Sequence, residues 1–479
     1  MLPDWIILQS GIQYPFKMTR FLFLFLVLSI ILFPIGIVQA QSETDYPIYI
    51  VQSGDTLNLI AQKFGVPVRD LIKANNLANP DSLAEGERLI IPGLDGVHGI
   101  LAAGVIPFGA DLRSLSIGYQ ISQSLLTRLN RVTSPTEIFA GASLILPQAN
   151  ENAGLDQIGQ INSGQSLLEA AIAANINPWS LAAANQMSNQ WDVVPGERLF
   201  YYAQKDRPAL AGINSLVTKI DAYPLPLVQG STLVVRVTTD GTANVTGKLG
   251  DTVLVFHAEK DNQFVALQGI HAMANPGLTP LMIRAVNDSG EIYQVEESLL
   301  LKSGNYPKDP PLTVDPQTID PAYTKPEDDL VANTTGPSTP IKYWSGKFQL
   351  PVDQPICIKS GYGDRRSYNG SPYSYFHTGL DFGVCANLNI YAPAPGKVVF
   401  TGPLTVRGNA TIIDHGWGIY SGFYHQSKVE VKVGDMVKAG QEIGQIGATG
   451  RVTGPHLHWD LFVNGIQVNP SGWLNNAFP

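Results

Sequence analysis

The sequence predicts a multidomain chain: three small α+β repeats, then a β-sandwich, then a C-terminal all-β domain carrying a histidine cluster. Three observations predict it. Small and apolar positions recur at a spacing of 55 from Gly54 to Tyr201. An alternating apolar pattern follows, with turn signals between its runs. Five of the eight histidines (His377, His415, His425, His456 and His458) then fall in the last quarter, beside Gly, Thr and aromatic residues rather than in a His-rich tract. A net charge of −9 with no basic patch argues against nucleic acid as a partner. It leaves open a glycan, which is bound by aromatic and polar contacts more than by charge.

Residues 1–40 read as a signal peptide. Lys17 and Arg20 precede an uncharged apolar run from Phe21 to Val38, and the small residue Ala40 closes it before polar "QSETD". Met18 is an alternative start. An uncleaved anchor is the other reading, because eighteen apolar residues approach a membrane span. Pro34, Gly36 and the Ala40 site favour cleavage, which leaves no stable membrane insertion. Either way the remainder is expected outside the cytoplasm, secreted or associated with a cell wall.

The repeats are expected at 46–93, 100–148 and 156–204. Gly54, Leu57, Leu71, Asn75, Gly86 and Ile91 of the first correspond to Gly109, Leu112, Leu126, Asn130, Gly141 and Leu146 of the second. Gly164, Leu167, Leu181, Asn185, Gly196 and Tyr201 complete the third. Each unit reads as strand, helix, helix, strand. Asp55 or Thr56 can cap the first helix, and Leu57, Ile60, Ala61 and Phe64 have helical spacing. "GADL" and "GQSL" replace "GDTL" in the second and third units, so their apolar frame persists while the polar positions drift.

From 213 to 304 the apolar period is two. Leu233, Val235 and Val237 share one face, and turn signals stand at Asp240-Gly241, Asp261-Asn262 and Asn287 to Gly290. Six or seven short strands in this length predict an immunoglobulin-like sandwich. His257 and His271 are read as ordinary strand residues. Residues 305–343 are expected to be an extended linker, because eight prolines fall within 305–340.

In the domain at 344–479, "TGPHLHWDLF" sets His456 and His458 one residue apart on a strand, so both imidazoles share a face. "YFHTGLDFG" adds His377 and Asp381. A His–Asp pair with a distant His makes three N/O ligands, which suits a catalytic zinc with one open position. Cys357 and Cys385 are either a disulfide or two buried thiols, and export permits the bridge. A bridge would close a loop of 28 residues and contribute about 3–4 kcal/mol.

At these residues the chain resembles the lysostaphin-like (LytM-type) zinc endopeptidases, which cut peptide cross-bridges in peptidoglycan. "SGYGDRR", "FHTGLDFG", "APAPGKVVFTG", "IIDHGWGIYSGFYHQ", "VKVGDMVKAGQEIGQIGATG" and "TGPHLHWDL" carry the resemblance. It implies an all-β peptidase domain of the duplicated hybrid motif type, Zn2+ held by His377, Asp381 and His458, and catalytic roles for His425 and His456. Gln426 stands where that family usually has Leu. His415 is read as structural. Arg365 and Arg366 are placed either at the groove or in a solvated loop. In some such enzymes a preceding segment lies over the groove, a role for which Asp315, Asp320 and Asn333 are candidates here.

The first repeat resembles a LysM domain through "YIVQSGDTLNLIAQKFGV", "LIKANNL" and "GERLIIP". That resemblance implies binding of peptidoglycan glycan, with Gly54, Asp55, Thr56 and Asn75 as candidate contacts. The second and third units resemble it in degenerate form. Together these expectations describe an exported cell-wall hydrolase. The alternatives are a non-hydrolytic activator or regulator of other peptidoglycan hydrolases, and a wall-binding protein with a vestigial peptidase domain.

Overall fold

The computed structural model describes residues 46–479 apart from 95–96, 149–154, 162–163, 190–191, 195–196, 203–215 and 261. The expected signal peptide, Gly196 of the third repeat, the start of the middle domain at Ile213 and the turn residue Asp261 lie outside the described residues. No helix among the described residues is long and apolar enough to cross a membrane.

Each repeat folds as strand, helix, helix, strand. In the first, Ile48–Ile50 pairs antiparallel with Arg88–Ile90, and helices Leu57–Phe64 and Val68–Asn75 lie between. Thr56 caps the first helix by accepting from the Leu59 N–H, and Leu57, Ile60, Ala61 and Phe64 form its buried face. The recurring asparagine has one structural role in every unit. Asn75 Nδ2 donates to the carbonyls of Leu71 and Ile90, while its Oδ1 accepts from the Ile90 N–H. Asn130 does the same with Leu126 and Ile145, and Asn185 with Leu181 and Phe200. One side chain thus joins the second helix to the closing strand in all three units. Asn75, a candidate glycan contact by sequence, is thus also a structural clamp, with both of its amide hydrogens donated inside the unit.

Between 216 and 302 two sheets enclose one core. One runs in the order Thr252–Leu254, Ala243–Leu249, Gly277–Asn287, Ile292–Lys302, Leu227–Val228. The other runs Phe256–Lys260, Gln263–Gly269, Thr232–Thr239, Val217–Tyr223. Leu233, Val235 and Val237 pack with Leu281, Ile283 and Ala285 in that core. Their neighbours Val234, Val265 and Leu267 face the other way and join the core of the C-terminal domain. The strand period of two therefore buries both faces of the second sheet. His257 stacks on Trp417 and His271 meets the Phe376 ring edge-on, so both histidines sit on this domain contact.

The C-terminal domain is built on an eight-stranded sheet. Its order is Ile358–Ser360, Gly379–Gly383, His456–Val463, Ile419–Gln426, Gly408–Gly416, Gly396–Leu404, Met436–Val437, with Ile466–Val468 on the side of His456–Val463. Phe382, Phe423 and Trp459 are fully buried beneath the central strands. Cys357 and Cys385 are joined as a disulfide, their Cα atoms 6.0 Å apart.

The expected extended linker is corrected. It contains the helix Pro321–Thr335, which packs Val331 against Ile412, Tyr420 and Phe462 of the C-terminal domain. Pro321 occupies the first turn, where a missing N–H breaks no bond, and Asp320 caps the end by accepting from the Ala322 N–H. Prolines that read as breakers in a composition count are compatible with a helix at such a position.

Candidate metal centre and groove

Strand pairing assembles the site. Gly379–Gly383 runs antiparallel to His456–Val463 with Asp381 directly opposite His458. The two strands approach closely at Gly379, where a Cβ would collide with the Trp459 carbonyl. His377 lies just before the first strand and is buried, with Nδ1 donating to the Gly361 carbonyl at 2.7 Å.

His377 Nε2, Asp381 Oδ1 and His458 Nδ1 form a triangle with edges of 2.9, 2.9 and 3.0 Å. On the outside, His458 Nε2 donates to Asp460 Oδ1 at 2.6 Å. A carbonyl can only accept, and the buried Asp460 is held ionised. Burial opposes its ionisation, but His458 and Arg407 outweigh that and keep its pKa low. Both imidazoles therefore carry their outer proton outwards and turn a lone pair inwards. Two imidazole lone pairs and a carboxylate oxygen this close repel one another unless a proton or cation lies between them. Burial alone would push His458 down, yet the Asp460 and Asp381 carboxylates lift it to about 9. A proton and a divalent cation thus compete for one place. Zinc bonds of about 2.0–2.1 Å can reach all three atoms from one point, and the carboxylate behind His458 is a usual support for a zinc ligand. The donor set fits zinc.

His425 and His456 stand beside the triangle. Their rings are 4.8 Å apart, and His425 lies 6.0 Å from the His458 ring. His425 Nδ1 donates to the Thr449 carbonyl and His456 Nδ1 to the Gly454 carbonyl, both at 2.8 Å, so each Nε2 is the ring's acceptor, that of His456 lying 3.7 Å from Asp381 Oδ1. Burial first, then the charge of His458, push His425 down to about 3. Its backbone is left-handed, with φ of 63°, a strain that costs about 1–3 kcal/mol in a non-glycine residue. His415 lies elsewhere, fully buried between the Pro395 carbonyl and the Ser421 hydroxyl. Gln426 is buried, its amide donating to Thr411 Oγ1 and the Phe423 carbonyl.

The two neighbouring arginines diverge. Arg366 lines the groove, with Nη2 on Ser360 Oγ at 2.9 Å and 3.7 Å from Asp381 Oδ2. Arg365 turns away to the Ala272 carbonyl and lies over the Tyr306 ring. Neither is a solvated loop residue. Asp315 caps the turn Pro316–Thr318 and lines the groove, Asp320 caps the helix Pro321–Thr335, and Asn333 is exposed; the linker's polar contact with the groove arginines is made by other residues. That contact runs through Asp309, Thr318 and Glu327. Sequence reasoning also missed Asp460, Arg407 and Arg451. Only Asp460 left a signal, since it continues the alternation of His456 and His458 on one strand face.

The profile of Peptidase family M23 matches residues 375–470, and that of the LysM domain matches 49–92 and 112–147. Peptidoglycan DD-endopeptidase ShyA of Vibrio cholerae is 40% identical over 121 residues, which is 25% of this chain and 28% of that protein. ShyB of the same organism is 35% identical over 122 residues, 25% of this chain and 29% of that protein. The matched part thus spans less than a third of either relative. A solved structure of a peptidase M23 candidate from Pseudomonas aeruginosa is 28% identical and covers 53% of this chain and 96% of that one, with a TM-score of 0.39. M23 is a family of zinc metallopeptidases. Residues 375–470 are thus a Peptidase family M23 domain, carried behind two LysM domains at 49–92 and 112–147.

Proposed function

We propose that this chain is an exported peptidoglycan hydrolase that holds the polymer's glycan through its first LysM unit and hydrolyses a peptide cross-link with a zinc-activated water. The observation that carries the reading is the inward-facing triangle of His377, Asp381 and His458 beside the imidazoles of His425 and His456, each of which is anchored through Nδ1. Zinc there supplies Lewis acidity, which lowers the pKa of water towards neutrality and polarises a carbonyl. Asp460 and the Gly361 carbonyl orient the two ligating imidazoles. His425 or His456 takes the proton of the attacking water on Nε2 and hands it to the leaving amine. Once protonated, the same nitrogen donates to the oxygen on which charge grows.

The domain limits given above follow the same reading, with the two sheets of 213–304 as an immunoglobulin-like spacer. Glycan binding is assigned to the first unit because its turn is open, Gly54 and Thr56 being exposed and Asp55 half-buried. In the second unit the equivalent turn is covered. The Gly109 N–H donates to Glu297 of the middle domain, and the Arg198 guanidinium lies against it. The second unit therefore serves as a docking piece. The segment from Lys17 to Ala40 supplies export.

Digestion of purified peptidoglycan by residues 41–479, with mass spectrometry of the released fragments, tests the proposal. New amine and carboxyl ends are expected, and they should vanish in His458→Ala and with a chelator. Zinc-loaded protein that releases none would point to the regulator instead.

A further inference from the structure

Three arginines line the groove of about 1310 Å³ that contains His377, Asp381 and His458. Each is held by a residue of the linker segment. Arg366 Nε lies 3.4 Å from Asp309 Oδ2, and Arg451 Nη1 donates to the Thr318 carbonyl at 2.7 Å. Arg407 Nη1 donates to Glu327 Oε1 at 2.7 Å and to Asp328 Oδ1 at 2.9 Å. Glu327 is the most fully bound of these. Its Oε2 accepts from the Val406 N–H at 2.8 Å, and its Oε1 also accepts from the Arg407 N–H at 3.1 Å. Two adjacent backbone N–H groups and a guanidinium make a nest for one carboxylate. The nest belongs to the catalytic domain, whereas the carboxylate is delivered by the helix Pro321–Thr335.

The nest adjoins the reacting groups. The Arg407 carbonyl accepts from the His425 N–H at 2.9 Å. The Arg407 guanidinium lies over the Tyr424 ring, whose centroid is 5.7 Å from that of His458. The helix that fills the nest has little else to hold it. Its buried residues are Glu327, Val331 and Thr335, and its contact rests on the Val331 side chain and on the Glu327 and Asp328 carboxylates at Arg407. Beyond it, the segment is pinned separately, by the Tyr420 hydroxyl on the Pro337 carbonyl and by Trp417 Nε1 on the Pro340 carbonyl.

We propose that the Val406–Arg407 nest is a carboxylate subsite of the peptide groove, and that Glu327 occupies it as a stand-in for a free carboxylate of the substrate. This rests on the peptide cross-link reading and narrows the substrate to peptides with an ionised carboxylate near the scissile bond. Acetyl-D-alanyl-D-alanine and its C-terminal amide are suitable probes on residues 41–479. In calorimetry, Glu327→Gln should bind the carboxylate probe at least about tenfold more tightly than the unmodified protein does, with no change for the amide. In the unmodified protein, excess carboxylate probe should speed hydrogen exchange across 321–335, and the amide should not; this arm needs no variant to fold. Equal gains for both probes, or exchange that responds to neither, would overturn the subsite. Neither readout involves cleavage. A carboxylate preference in a chain that cannot cut peptidoglycan would sink the hydrolase reading alone, and cutting without that preference would sink the subsite alone.

Discussion

His458 depends on Asp460, two residues along the same strand face, for the direction of its lone pair. Asp460→Asn keeps the shape but weakens the bond that orients and polarises the imidazole. Zinc affinity should fall by about 10–100-fold, read by competition with a chelator. An unchanged affinity would mean that Asp460 does not support the ligand. His415 gives a pH signature instead. Burial lowers its pKa from 6.5 in the unfolded chain to about 4 in the fold. Between these values the unfolded chain binds a proton that the native one does not, so stability falls as pH falls through that window, by up to about 3 kcal/mol. Unfolding by denaturant at pH 7.5, 5.5 and 4 should show His415→Gln losing that part of the slope, and identical slopes would contradict the assignment. His456 and His458 were legible because a strand has a period of two, and His377, Asp381 and His425 through the motifs that carry the family resemblance. Asp460 obeyed the same period, but one acid among apolar residues does not announce a metal. Glu327 and Arg407 stand 80 residues apart, and no local pattern joins them.

Strand contact explains why an element as small as "HTGLDFG" is so restrictive. Gly379 lets Gly379–Gly383 lie against His456–Val463 with Asp381 opposite His458, and a methyl group there meets the Trp459 backbone carbonyl and the Asp460 carboxylate. Gly379→Ala should therefore cost about 1–3 kcal/mol in a denaturant titration and lower zinc affinity with it. Unchanged stability and unchanged zinc affinity would show that the strands have room. The repeats were legible at this scale because apolar spacing and turn residues are local. What the recurring asparagine does was not, since its partners in the closing strand lie 15 residues on. The linker was misread for a different reason. Pro321 and Pro326 count against a helix by composition, yet Pro321 stands where a helix begins, and the contacts made by Glu327 and Val331 come only from the fold.

Across the whole molecule, the second sheet of the middle domain is buried on both sides, so the middle and C-terminal domains share a core through Val234, Val265 and Leu267. Alternation in the sequence predicted the strands but not that their second face would find a partner. The groove is likewise a product of the assembled chain, with one wall from the M23 domain and the other from the segment before it. The central claim is that one zinc ion held by His377, Asp381 and His458 makes this groove hydrolytic. Zinc titrated into metal-stripped protein, with amine ends released from peptidoglycan counted at each step, tests it most directly. Release should rise in proportion to bound zinc, level off at one ion per chain, and be absent from His458→Ala at every addition. Full release from the stripped protein, or none at saturating zinc, would contradict the claim.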